Sequence, residues 1–110
     1  MNSQLILTDT HSHLYSEEFD LDRNEMMQRA INAGVSRFFV PSIDSNYTAK
    51  MYELEKQYPE NVFLMMGLHP TYVKENYLDE LAHVERESWL LENFMQLEKL
   101  VLTYFGIKLF

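Results

Sequence analysis

Three short apolar runs separated by segments of helical periodicity constrain the fold of this chain more than any other feature. The runs occupy residues 5–7, 37–40 and 62–66, and each is followed by polar or turn-forming residues. Continuous apolar runs of this length are typical of strands in parallel sheets, which are buried on both faces. Between them, residues 22–34 and 45–58 place apolar side chains at the spacing of an amphipathic helix. The alternation predicts parallel strands joined by right-handed crossovers.

Turn and cap residues indicate where the helices begin and end. Gly34 follows the first helical segment, and glycine is the common residue after a helix end. Ser45 is the expected N-cap of the second helix, and Pro59 marks its end. Residues 78–87 predict a third helix, in which we expect the charged surroundings to leave His83 solvated.

The fold class that follows is α/β, and we expect the chain to be the N-terminal portion of something larger, such as a (β/α)8 barrel. A closed barrel of this kind needs eight strands and about 250 residues. This chain has 110 residues and about three predicted parallel strands, so we expect a truncated barrel. In such barrels the chemistry lies in the loops at the carboxyl ends of the strands.

Charge and composition exclude some classes of function. A net charge of −8 argues against sequence-independent nucleic-acid binding through a basic face, so a phosphate-bearing substrate would have to be held by metal ions. The absence of cysteine excludes a disulfide framework and thiolate metal sites. Because the sequence has no secretory signal and no apolar run long enough to cross a membrane, we expect a cytoplasmic protein with no membrane partner.

Histidines follow two of the predicted strands. His11 and His13 come after the first strand, and because side chains alternate along an extended chain, both imidazoles are expected to point the same way. Asp9 is a possible hydrogen-bonding partner for them. His69 ends the third strand before Pro70 and is expected to face the same edge of the sheet. The pattern predicts a metal site built on His11 and His13.

The same histidines have a second interpretation. His11 and His13 are also compatible with loop residues that bond to backbone and solvent, and His69 with an ordinary surface histidine in a rigid turn. The spacing of the residues alone leaves both interpretations open.

Three motifs in order resemble those of the TatD family of metal-dependent hydrolases, whose members include deoxyribonucleases. They are D-T-H-S-H-L at residues 9–14, V-P-S-I-D at 40–44 and G-L-H-P at 67–70, and the resemblance covers about residues 6–87. It implies a TIM-like barrel that binds one or two divalent metal ions, two in the full-length relative, and that acts on DNA or another phosphodiester. By this resemblance His11 and His13 match the first metal ligands, while His69 and Asp9 are candidate substrate-binding or near-site residues.

The resemblance also implies residues that this chain does not have. The next strand of the family carries an E-I-G-x-D motif whose glutamate bridges the metals, and two histidines and an aspartate follow later. None of these is found in residues 88–110. We therefore expect the chain, as it stands, to hydrolyse little or nothing, and we assign it no catalytic residue.

Residues 88–110 form a predicted tail outside the family, and we expect that it arose from a shifted reading frame. Codons can be chosen that encode the observed residues from Gln96 onward and that, when read from the third base, translate as IGEIGIDLFWDKTF. This translation contains E-I-G-x-D. Codons chosen for residues 88–96 in the same way give LVIRKFYA immediately before it. Most second and third bases of the shifted codons are fixed by the observed residues. We therefore expect a single-base change shortly after Glu87, with residues 1–87 as the partial hydrolase domain.

Two other interpretations of the chain remain open. The apolar residues of the tail have helical spacing, so the tail is expected to be helical and could also be a genuine ending. The chain would then be a non-catalytic interaction module. It could also be one half of a split enzyme whose remainder is encoded separately.

Overall fold

A computed structural model describes residues 6–90 of the chain as an open parallel sheet with helices. The strands are β1 (Leu7–Asp9), β2 (Val35–Pro41) and β3 (Val62–Met65). They lie in the order β1-β2-β3, and β2 pairs in parallel with both neighbours. The predicted α/β class with parallel strands is confirmed, and the arrangement is consistent with part of a (β/α)8 barrel.

Each strand is followed by a single 3-10 turn and then by an α-helix. The helices are α1 (Arg23–Asn32), α2 (Thr48–Gln57) and α3 (Tyr77–Leu90). The 3-10 turns are Glu17–Phe19, Ser45–Tyr47 and Pro70–Tyr72. The same strand, turn and helix order therefore occurs three times, and the turns lie at the carboxyl ends of the strands.

The core lies between one face of the sheet and helices α1 and α2. Alternate residues of β2 and β3 point to this face because side chains alternate along a strand. They pack against methionine and leucine side chains of the helices; the cluster includes Phe38, Val40, Val62, Leu64, Met27, Met51 and Leu54. Burial of each large apolar side chain stabilises the fold by roughly 1.5–3 kcal/mol.

The other face of the sheet carries a pair of phenylalanines. Phe39 of β2 and Phe63 of β3 are directly paired across the two strands, with ring centroids 5.5 Å apart. Both side chains are only partly buried. The position of this face, opposite the helices, is consistent with the interior of a (β/α)8 barrel, where further strands would cover it.

The first apolar run is less buried than its sequence indicates. The strand begins at Leu7, Ile6 lies outside it, and the exposed fractions of Ile6 and Leu7 are 66% and 40%. Within residues 6–90, β1 pairs on one side only, with β2, and its register shifts between Leu7 and Thr8. The prediction of a buried first strand is therefore wrong for the described part of the chain.

The residues that end α1 and precede α2 agree only in part with the predicted helix caps. Gly34 adopts a φ of 109° after α1, which is the left-handed conformation that favours glycine. The prediction of Ser45 as an N-cap is wrong, since the side chain of Asp44 accepts the capping bond from the backbone N–H of Asn46. Ser45 instead begins the 3-10 turn that precedes α2.

Helix α3 is attached to the start of α2 by buried polar contacts. The carboxylate of Glu80 accepts hydrogen bonds from the backbone N–H of Ser45 at 2.8 Å and from its hydroxyl at 2.7 Å. His83 Nε2 lies 2.8 Å from the hydroxyl of Thr48, so the prediction that His83 is solvated is wrong. These contacts join residues 35 positions apart, which explains why no local pattern marks them.

The predicted domain boundary at residue 87 lies inside α3, which continues to Leu90. The rest of the predicted tail, residues 91–110, lies outside the described residues. Among the helices of residues 6–90, none is both long and apolar enough to cross a membrane.

We predict that Glu80→Ala lowers the free energy of unfolding by about 1–3 kcal/mol, because it leaves the partly buried N–H and hydroxyl of Ser45 without their acceptor. Urea unfolding of the full chain measures the effect. Glu85→Ala, at an exposed position of the same helix, is the control and is expected to stay within about 0.5 kcal/mol of the wild type. Equal stabilities of the two variants would contradict the assigned role of Glu80.

Candidate functional site

Three histidines surround one cleft at the carboxyl end of the sheet. The cleft has a volume of about 150 Å³, and His11, His13 and His69 line it together with apolar residues such as Met65 and Leu68. The ring centroids of His11 and His13 are 5.3 Å apart, and those of His13 and His69 are 6.0 Å apart. The structure therefore brings together the three histidines that the sequence marked.

The first two histidines lie in the loop after β1, beyond the end of the strand. The carboxylate of Asp9 accepts a hydrogen bond from the backbone N–H of His11 at 3.1 Å, which bends the chain there. The backbone N–H of Ser12 donates to the carbonyl of Phe39 on β2 at 3.3 Å. Asp9 thus shapes the loop backbone, and the two rings meet edge to face without the regular alternation of a strand.

Arg23, at the start of α1, fixes the segment that follows the histidines. Its guanidinium donates to the carbonyls of Leu14, Tyr15 and Ser16 at 2.8, 3.1 and 2.7 Å. It also forms an ion pair with Asp20 at 2.9 Å. Sequence reasoning missed this residue, because an arginine in the first turn of a helix carries no signal that it bonds to a preceding loop.

The position of the ring proton of His13 follows from its neighbours. The hydroxyl of Tyr15 donates to the carbonyl of Pro41 at 2.7 Å, since a carbonyl oxygen can only accept. The same hydroxyl lies 2.9 Å from Nδ1 of His13. Because the hydroxyl has one hydrogen, Nδ1 must donate the proton of the second bond. The lone pair of neutral His13 is therefore on Nε2.

Burial holds the pKa of His13 below its ordinary value. The main cause is desolvation of the half-buried ring, and the neighbouring His11 and His69 lower the pKa further. The backbone carbonyl of Pro41 acts in the opposite direction. A lowered pKa favours the neutral imidazole at physiological pH, which is the form that binds metal ions.

His69 has the opposite arrangement of its two nitrogens. Its Nδ1 accepts hydrogen bonds from the backbone N–H of Thr71 at 3.2 Å and from the Thr71 hydroxyl at 2.8 Å. These bonds cap the 3-10 turn that begins at Pro70. Because a backbone N–H can only donate, the ring proton of His69 lies on Nε2. His69 therefore presents a hydrogen-bond donor where His13 presents a lone pair.

The residues fit part of a metal site. Neutral imidazole nitrogens are suitable ligands for zinc and other transition metals, and His11 and His13 share one cleft. In residues 6–90, no group of three or more histidine, aspartate and glutamate side chains is arranged to hold a metal ion. The described part of the chain thus offers a pair of candidate ligands rather than a full coordination sphere.

We predict that Arg23→Met lowers the free energy of unfolding by about 1.5–3 kcal/mol, because three loop carbonyls lose a charged donor while the apolar stem is kept. Thermal unfolding followed by circular dichroism measures the change. Arg29→Met, an exposed position on the same helix, is the matched control and is expected to have little effect. An unchanged stability of Arg23→Met would show that the three bonds contribute nothing.

Comparison with known proteins assigns the family. The model of the TatD related DNase family matches residues 8–103, which include all three cleft histidines. The uncharacterized metal-dependent hydrolase YabD of Bacillus subtilis is 29% identical over 83 residues, which is 76% of this chain and 32% of the relative. The uncharacterized metal-dependent hydrolase YjjV of Escherichia coli is 34% identical over 62 residues, 56% of this chain and 24% of the relative. The chain spans a third or less of the length of these relatives, and it belongs to the TatD-related DNase family.

Proposed function

We propose that residues 6–90 form the N-terminal part of the active site of a metal-dependent phosphodiester hydrolase. The observation that carries this proposal is the convergence of His11, His13 and His69 on one cleft at the carboxyl end of the sheet. His11 and His13 hold a divalent metal ion through their imidazole nitrogens. A bound divalent ion supplies Lewis acidity toward a phosphoryl oxygen.

His69 has a different role in this proposal. Its Nε2 carries the ring proton because Thr71 occupies Nδ1. A neutral histidine in this state cannot ligate a metal through Nε2, but it donates a hydrogen bond to an anionic oxygen. His69 thus binds the phosphate of the substrate.

The net charge of the chain supports the need for a cation. The formal charge is −8, so a phosphodiester such as DNA meets overall repulsion. Substrate binding then depends on local positive charge, which a bound divalent ion provides more effectively than surface lysines.

The chain alone is proposed to be inactive. Two imidazoles leave most coordination positions of a divalent ion to other groups, and no residue of this chain is assigned as a general base. The aligned regions cover only 32% and 24% of the two relatives, each of which is more than twice as long as this chain. Activity is therefore assigned to a longer protein that contains this part.

We predict that the full chain binds Zn²⁺ weakly and that His11→Ala or His13→Ala each lowers the affinity by about tenfold or more, since each removes one imidazole ligand. Isothermal titration calorimetry measures the affinity. His83→Ala, which removes a histidine on α3, is the control and is expected to keep the wild-type affinity.

Two outcomes would contradict the proposal. Equal Zn²⁺ affinities of the wild type and both cleft variants would exclude the histidine pair as ligands. Metal-dependent hydrolysis of DNA by the purified chain, lost in His13→Ala, would show that the chain needs no further ligands.

We also propose that residues 88–110 arose from a shifted reading frame. The shifted translation, which contains E-I-G-x-D, supports this, while the family match that extends to residue 103 is the contrary observation. We predict that the nucleotide sequence after the Glu87 codon encodes IGEIGIDLFWDKTF in the shifted frame and remains open beyond it. Sequencing of the locus tests this, and codons incompatible with the shifted translation would exclude the proposal.

A further inference from the structure

The phenol of Tyr15 lies between the cleft histidine His13 and the end of β2. The exposed fraction of Tyr15 is 2%, so its hydroxyl is shielded from solvent and depends on protein partners. Those partners are the carbonyl of Pro41 at 2.7 Å and Nδ1 of His13 at 2.9 Å. The hydroxyl thus donates to Pro41 and accepts from His13, and the backbone of Ile43 also forms a hydrogen bond with it.

The direction of both bonds is determined by the carbonyl. A carbonyl oxygen has no proton to give, so the single hydrogen of the phenol is committed to Pro41. The oxygen of the phenol can then only accept from His13. If the proton of His13 were on Nε2, the lone pair of Nδ1 would face the lone pairs of the Tyr15 oxygen, and a buried bond would be lost.

The position of Tyr15 is itself well determined. Its ring packs against that of Tyr47, with centroids 5.4 Å apart, and its backbone carbonyl accepts a hydrogen bond from Arg23. The phenol is therefore a fixed hydrogen-bonding group that has a defined orientation before any ligand arrives.

We propose that Tyr15 is a positioning residue that holds His13 as the Nδ1–H tautomer and so keeps the lone pair of Nε2 available for a metal ion. The tautomer follows from the hydrogen bonds alone. Its consequence for metal binding rests on the function proposed above. Neither the resemblance nor the matched relatives assign a role to Tyr15.

The neighbouring histidine provides an internal comparison. His69 lies 6.0 Å from His13 between ring centroids, in the same cleft, yet Thr71 holds it as the Nε2–H tautomer. Two histidines in one cleft are thus held in opposite tautomers by different partners. A common effect of the cleft on all imidazoles would not produce this difference.

The first test is the tautomer of His13 in the metal-free full chain, measured by nitrogen-15 NMR of the imidazole nitrogens at a pH where the ring is neutral. We expect the Nδ1–H form in the wild type. In Tyr15→Phe, which keeps the ring and removes the hydroxyl, we expect the Nε2–H form to become populated, while His69 stays in the Nε2–H form.

Tyr58→Phe is the matched control, because the Tyr58 hydroxyl bonds to Asn24 on α1, away from the cleft. It is expected to leave the spectrum of His13 unchanged. A wild-type His13 with its proton on Nε2 would overturn the proposal, even if Tyr15→Phe fails to fold. An unchanged Nδ1–H form in a folded Tyr15→Phe would also overturn it.

The second test is Zn²⁺ affinity, measured by calorimetry on the same proteins. We expect Tyr15→Phe to bind about tenfold more weakly than the wild type, the size of effect typical of residues that orient a metal-binding histidine. If the wild type binds no Zn²⁺, the function proposed above fails, and the tautomer is still decided by NMR. If Zn²⁺ binds equally to both proteins while the tautomer changes, the link from Tyr15 to metal binding fails.

Discussion

The parallel pairing of β2 with a neighbour on each side is the constraint on which the candidate site depends. Beyond the regular ladder, alternate carbonyls along β2 and its extension accept hydrogen bonds from both loops that carry histidines. The acceptor and donor pairs are Phe39 with the Ser12 N–H, Pro41 with the Tyr15 hydroxyl, and Ile43 with the His69 N–H. One strand therefore sets the distance between the loops. The same backbone that forms the sheet forms the scaffold of the cleft.

The sequence predicted the elements because each is specified locally. The apolar runs, Gly34 and the helical periodicity depend on neighbouring residues, and the structure confirms the strand and helix order. The failures concern contacts between distant parts of the chain. Ser45 and His83 were misjudged because their partners, Glu80 and Thr48, lie 35 positions away. The neighbouring Asp44, rather than Ser45, provides the capping bond of the 3-10 turn, while the Ser45 hydroxyl bonds to Glu80.

The candidate site was also predictable from the sequence only in part. That His11, His13 and His69 share a cleft followed from the rule that the ends of parallel strands meet at one edge. The state of the His13 ring did not follow, because it depends on the Tyr15 bond to a carbonyl 26 positions away. Arg23 was missed for a related reason: its guanidinium serves backbone carbonyls, which are present in every sequence.

The opposite tautomers of His13 and His69 give the proposed function a physical basis that the presence of three histidines in one cleft does not provide by itself. A lone pair on one ring attracts a cation, and an N–H on the other attracts an anion, with the two ring centroids 6.0 Å apart. A metal ion bound to a phosphate oxygen likewise places a positive charge beside a negative one. Two rings in the same tautomer would present either two lone pairs, which repel the phosphate oxygen, or two N–H groups, which repel the metal ion. In the proposed function, the bonds from Tyr15 and Thr71 therefore hold a lone pair and an N–H in the same cleft before a metal ion or a phosphate is bound.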